Sequence, residues 1–247
     1  MRNAAYEYSQ MKTQEPGGRV LRAAFLTSVP ILAGYVVLGI GFGILLQRAG
    51  YAWPWALAMS VFIYAGSLQY VGVSLLAGGA SLLTTAMTSI MVNARHLFYS
   101  ISMVSRYRDA GKYKPYMIFT LTDETYSLLC DGAAPEGEDA QRYRFFVSLF
   151  NHCYWITGCA LGSLLGGVLP FSTAGIEFSM TALFIASFAE QWLAGGNRVP
   201  ALVGLGCSLA CLLAFGPERF LIPAMLAITA VLTLLRGRLS PGKEAAP

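Results

Sequence analysis

"IFTLTDETYSLLC", residues 118–130, sets Asp123 and Glu124 side by side inside an apolar run. Adjacent carboxylates are cheap on a solvated loop and expensive in hydrocarbon, so their meaning depends on the surrounding solvent. Composition identifies that solvent. Of 247 residues, 55% are hydrophobic and only 12% charged, with a mean hydropathy of +0.55, whereas a soluble domain carries roughly a quarter charged residues. Residues 23–47 and 49–94 contain no charged side chain, and roughly 20 apolar residues suffice for a helix to cross a bilayer. The chain therefore reads as a multi-pass protein of the inner or plasma membrane. Residues 1–22 are polar and lack an apolar stretch ending in a small-residue cleavage site, so no removable signal peptide is expected.

Five cysteines, at 130, 153, 159, 207 and 211, all lie in apolar stretches; an odd number there indicates packing and not a disulfide framework. Beside His152 and Cys153 there is no further ligand at zinc spacing, so neither metal nor cofactor is expected. The net charge of +4 belongs to short loops, as membrane topology requires, and does not suggest nucleic acid.

Apolar runs at 23–46, 54–77, 82–105, 115–130, 145–168, 173–194, 199–215 and 219–235 predict helices, because an open sheet leaves edge hydrogen bonds unsatisfied in lipid. The expected fold is all-α: a polytopic helix bundle with about seven (six to eight) spans of roughly 20 residues and at least one broken or re-entrant segment. Residues 1–22 and 236–247 would be tails around a single domain, 23–235. "AMSVFIYAGSLQY" (58–70) aligns weakly with "SMTALFIASFAEQW" (179–192), and "NARHLFYS" (93–100) with "GPERFLIP" (216–223). Each half begins with a glycine-rich helix, Gly39 and Gly43 in one and Gly158, Gly162 and Gly166 in the other, a spacing that lets helices approach closely. These features suggest an internal inverted repeat, 23–105 and 145–235, joined by a helix at 115–130, as secondary transporters use.

Arg2, Lys12, Arg19 and Arg22 in the N-terminal tail, and Arg106, Arg108, Lys112 and Lys114 after the third segment, place both regions in the cytoplasm. An even number of crossings must then precede residue 106, so one segment in that half is re-entrant, with the break expected in the third, around Asn93, Arg95 and His96. The mixed loop "DGAAPEGEDAQRYR" would lie outside.

A charge at the bilayer centre costs at least about 2.5–3.5 kcal/mol, which makes the few intramembrane polar residues the functional candidates. Pro115 is placed to start a helix, putting Asp123 about two turns in; neighbouring residues on a helix diverge by about 100°, so Asp123 and Glu124 cannot face one partner alike. One is suited to neutralise Arg95 and the other to carry a proton or meet an ammonium group; the plainer reading is that both pair with arginines or sit at a water interface. Arg95 offers a two-pronged donor for a carboxylate or merely snorkels. His96 titrates near neutral pH or is only hydrogen bonded. Asn93 would hold exposed backbone at a break. Ser67 and Gln69 match Glu190 and Gln191 in the aligned halves, as site residues or as interhelical hydrogen bonds. His152 reads as structural.

In order along the chain, "PILAGYVVLGIGFGILLQRAG" (30–50), "SVFIYAGSLQYVGVSLLAGGAS" (60–81), "VNARHLFYS" (92–100) and "TLTDETYSLL" (120–129) resemble the AzlC-type large subunits of branched-chain amino acid exporters, the azaleucine-resistance family. The resemblance is strong over residues 20–130 and rests elsewhere on hydropathy. It implies proton-driven export of valine, leucine, isoleucine and methionine or analogues, with a small AzlD-type membrane subunit as partner. Asn93, Arg95, His96, Thr122, Asp123 and Glu124 agree with the family motifs. The alternatives are an uncoupled channel or assembly subunit, and an intramembrane enzyme. The enzyme is disfavoured because an aspartyl hydrolase needs two converging acids.

Overall fold

Proline at the first or second position opens four of the helices, at Pro16, Pro54, Pro115 and Pro200, where its missing N–H costs no hydrogen bond. The computed structural model describes residues 16–132, 134–168, 175, 178–193, 198–217 and 219–239, and every regular element among them is helical. We label them α1 (Pro16–Arg48), α2 (Trp53–Phe62), α3 (Gly66–Ala77), α4 (Leu82–Met103), α5 (Lys114–Phe119), α6 (Asp123–Asp131), α7 (Ala140–Val168), α8 (Phe178–Leu193), α9 (Val199–Phe215) and α10 (Leu221–Leu239). Among the described residues one helix, Gly18–Arg48, is long and apolar enough to cross a membrane by length and composition. The chain divides into two compact units, residues 1–80 with 96–176, and 81–95 with 177–247. This division cuts across the halves suggested by sequence.

In the first unit α1 and α7 run side by side in the same direction, since their contacting residue numbers rise together. Arg19 Nε lies 3.5 Å from Glu138 Oε1, just before α7. The Tyr143 hydroxyl donates to Thr27 Oγ1 at 2.9 Å, Ser28 meets Tyr154 at 3.0 Å, and Ser163 donates to Gln47 Oε1 at 3.0 Å. Between these bonds the two backbones touch through glycine. A methyl group on Gly39 would lie 2.9 Å from the Cys159 nitrogen and one on Gly158 2.8 Å from the Val36 carbonyl; Gly43 and Gly162 leave still less room. Lipid is as apolar as leucine, so close packing and hydrogen bonds hold membrane helices together. The two glycine stripes supply that packing.

Two helical hairpins enter this frame from opposite ends. α2 leaves the far end of α1, and the chain reverses at Ile63–Ala65, so that Gly72 on α3 faces the Met59 side chain on α2. Residues thirteen apart in a straight helix would be about 20 Å apart. At the reversal Tyr64 has φ 42°, the one positive value among described non-glycine residues; such backbone costs of order 1–3 kcal/mol. α3 then climbs back, with the Tyr70 hydroxyl on the Leu38 carbonyl at 2.7 Å.

The second hairpin mirrors the first from the end where α1 begins. α5 descends, the chain turns at Thr120–Thr122, and α6 returns. The Arg106 guanidinium donates to the Leu129 carbonyl at 3.0 Å and to the Cys130 carbonyl, neutralising the negative helix end. His96–Met103, the part of α4 in this unit, runs beside α6, with Tyr99 stacked on Tyr126 at 5.0 Å. Val20, Met103, Tyr107, Met117, Leu129 and Tyr143 share one buried cluster.

Four expectations change. α4 is continuous; the break expected there lies in the second segment, at 63–65. The helix expected over 115–130 is two helices, because Thr122 takes an extended conformation (φ −100°, ψ 175°) and its side chain caps Thr125 N. Asp123 therefore opens a helix and does not sit two turns into one. The loop before α7 lies at the same end as the start of α1, since Glu138 meets Arg19 and Gln141 donates to the Arg106 carbonyl; the mixed charge of that loop hid this. Its placement outside, opposite both basic regions, is corrected accordingly. In an otherwise cysteine-free chain, Lys112→Cys and Glu138→Cys are expected to react with an impermeant maleimide from one and the same side of the membrane. Labelling from opposite sides would refute the re-entrant second hairpin.

In the second unit, α9 and α10 pack against each other across a short connection in which Gly216 has φ 76°. α8 precedes them, and Arg198 lies over the Trp192 ring at 5.0 Å.

Candidate functional site

The turns of the two hairpins meet in the middle of the first unit, against polar residues of α1 and α7. Asp123 and Glu124 are the first two residues of α6, where the positive end of the helix dipole favours carboxylates. They take different partners, as their divergence on a helix requires. The Tyr35 hydroxyl donates to Glu124 Oε2 at 2.7 Å and lies 2.7 Å from Thr122 Oγ1. Asp123 Oδ1 lies 3.8 Å from His96 Nε2, both side chains about a quarter exposed (26% each). Thr122 Oγ1 also donates to Thr125 Oγ1 at 3.2 Å.

α7 ties both hairpins down with one polar stretch. Asn151 Nδ2 donates to Thr125 Oγ1 at 3.1 Å on the second hairpin. Trp155 Nε1 donates to Gln69 Oε1 at 2.8 Å on the first. His152 joins the two: its Nε2 is 3.2 Å from the Ser60 carbonyl and its Nδ1 is 2.9 Å from the Tyr116 hydroxyl. A carbonyl only accepts, so Nε2 carries the hydrogen and Nδ1 accepts from Tyr116 in the neutral ring. Tyr64 packs on the His152 ring with centroids 4.3 Å apart and approaches Tyr35 at 6.4 Å. Gly66 lies under the Trp155 indole, 3.1 Å from where a methyl group would sit.

Of the residues singled out from sequence, Asp123, Glu124, His96, Gln69 and Ser67 belong to this unit, the first three on α6 and α4 and the last two on the first turn of α3. Asn93 and Arg95 are half-buried on α4 and belong to the second unit. Glu190 and Gln191 fall on α8, with their side chains outside the described residues. Tyr35, Tyr64, Thr125, Asn151 and Trp155 were not anticipated, and His152 is structural in a specific sense, as a strut between two hairpins. Asn151, fully buried in the α7 apolar run, was the available signal, since a buried amide in lipid must find partners.

Two helical hairpins thus turn toward each other beside half-buried carboxylates. A family profile described as AzlC protein matches residues 30–169. The Bacillus subtilis branched-chain amino acid transport protein AzlC is 45% identical over 215 residues, covering 87% of this chain and 85% of that one. An uncharacterized membrane protein of Haemophilus influenzae is 41% identical, covering 91% and 93%. The Escherichia coli inner membrane protein YgaZ is 27% identical, covering 71% and 76%. No solved structure matches. With the family profile spanning more than half of its length and a relative this similar across most of both chains, the protein belongs to the AzlC family of membrane proteins.

Proposed function

We propose that this chain is the large subunit of a two-component secondary transporter that exports branched-chain amino acids (valine, leucine, isoleucine, and methionine or close analogues) at the expense of the proton gradient. The observation carrying this reading is the meeting of two hairpins, entered from opposite ends, at a hydrogen-bonded carboxylate: Glu124 held by Tyr35 at 2.7 Å. Carriers place substrate and coupling ion at interrupted helices near the membrane midplane, and irregular backbone survives there only where protein or a polar cavity satisfies it. The similarity to a branched-chain amino acid transport protein supplies the substrate class. The divergence of Asp123 and Glu124 onto separate partners argues against hydrolytic use of the pair.

The N-terminal tail, with Arg19 and Arg22, lies in the cytoplasm in this reading, as the positive-inside rule asks.

The test is efflux of preloaded labelled valine from cells. Cells expressing this chain with a small AzlD-type subunit are expected to export valine, to lose export when the proton gradient is collapsed, and to export little with this chain alone. Export that survives gradient collapse would refute coupling, and full activity of the purified single chain in liposomes would refute the two-subunit assignment.

A further inference from the structure

We infer that the two hairpin turns form the opposite poles of one binding site for an α-amino acid zwitterion, with the start of α3 and Gln69 receiving the α-carboxylate and Glu124 with Asn151 receiving the ammonium group. The inference rests on the transport reading above and assigns the poles of that same site. It begins from the difference between two otherwise similar turns. α6 begins with a Thr122 cap and two acids, so its positive end is already compensated. α3, twelve residues long, begins with Ala65 as its cap, without a side-chain cap bond and without any acid in its first turn. Such a helix end attracts an anion through its first amides and its dipole.

Buried polar atoms without partners stand on both sides. Gln69 is fully buried; its Oε1 is used by Trp155, while its Nε2 has no hydrogen-bond partner. Helical side chains lean toward the helix N-terminus, which directs this spare donor to the start of α3. Asn151, also fully buried, gives its Nδ2 to Thr125 and leaves its Oδ1, an acceptor, without a partner. The donor is at the end suited to a carboxylate and the acceptor is at the end suited to an ammonium.

Tyr64 stands between. It is only 3% exposed, directly precedes the α3 cap, and its hydroxyl is buried close to Tyr35, Thr122, Thr125 and Glu124 without a hydrogen bond of good geometry. Orphaned buried polar atoms are uncommon and ask for an explanation; three of them around two turns of opposite polarity are accounted for by one dipolar ligand. The aliphatic side chain of that ligand would lie among the aromatic rings of Tyr35, Phe119 and Trp155, and no guanidinium is needed for its carboxylate.

The test uses the purified full-length protein together with its small AzlD-type subunit and three probes: L-leucine, leucinamide, which lacks the carboxylate, and 4-methylpentanoate, which lacks the ammonium. Affinity is read from ligand-dependent thermal stabilisation. Wild type is expected to prefer leucine over either probe by about tenfold or more, the worth of one charge-assisted hydrogen bond. Gln69→Glu keeps the acceptor for Trp155 and is expected to lose leucine affinity at least about tenfold while leucinamide is unaffected. Glu124→Gln is expected to weaken leucine and leucinamide but not 4-methylpentanoate. Tyr64→Phe keeps the ring on His152 and removes only a hydroxyl without a hydrogen bond of good geometry, so its unliganded melting temperature should stay close to wild type while leucine binding falls. Wild type binding leucinamide as well as leucine, or Gln69→Glu weakening leucine and leucinamide alike, overturns the assignment of poles. Absence of leucine binding by wild type overturns the transport reading and this inference with it. Should Gln69→Glu fail to fold, the wild-type probe series and Tyr64→Phe still decide.

Discussion

Glu124→Gln is expected to cut valine export from preloaded cells at least about tenfold, with the protein still folded and in the membrane. The substitution preserves shape and leaves the Tyr35 hydroxyl an amide oxygen to donate to, so the hairpin turn should hold. What is lost is the negative charge, and with it the charge-assisted hydrogen bond from Tyr35 and any cation or proton that Glu124 carries. Hydrogen bonds to charged groups contribute about 1.5–3 kcal/mol, against about 0.5–1.5 for neutral ones, and each 1.4 kcal/mol is a factor of about ten. Asp123→Asn should cost less: its carboxylate is about a quarter exposed (26%), beside His96 at 3.8 Å. Undiminished, still proton-dependent efflux from Glu124→Gln would remove the coupling role from this residue, and a larger loss from Asp123→Asn would reverse the roles of the two acids.

The second large effect is on folding. Gly162→Leu is expected to leave little monodisperse protein on size-exclusion chromatography after solubilisation, because its Cβ would overlap the Ile40 backbone, with no flexible side chain there to yield. Overpacking a core commonly costs 1–3 kcal/mol, and a backbone collision at the α1–α7 crossing should reach the upper part of that range, about 3 kcal/mol. Gly34→Leu, on α1 where a methyl group meets nothing, should behave as wild type by the same measure. Equal behaviour of the two variants would show that the glycine stripe does not set the helix separation.

Solvent class, helical class and the divergence of Asp123 from Glu124 were legible in the residues themselves. They follow from local quantities: the length of uncharged runs, the cost of backbone groups and charges in lipid, and the angle between neighbouring side chains on a helix. The divergence of the two acids is such a local fact, and Tyr35 on Glu124 and His96 beside Asp123 reflect it. That a helix in the first half is interrupted before residue 106 was legible too, from the basic loops, and the chain does reverse at Ile63–Ala65.

Which segment turns back was not. An apolar run reads the same whether it crosses or reverses; the reversal at Tyr64 rests on a left-handed residue held by His152, Tyr35 and Phe119, and that at Thr122 on a hydroxyl shared with Tyr35 and Thr125. Those partners lie far away in the chain, so only tertiary packing could choose the broken helix over the straight one. For the same reason the roles of Asn151, His152 and Trp155 depend on three-dimensional contacts: a polar side chain in an apolar helix announces that it needs partners, and the fold alone determines that here they are two hairpins entering from opposite sides.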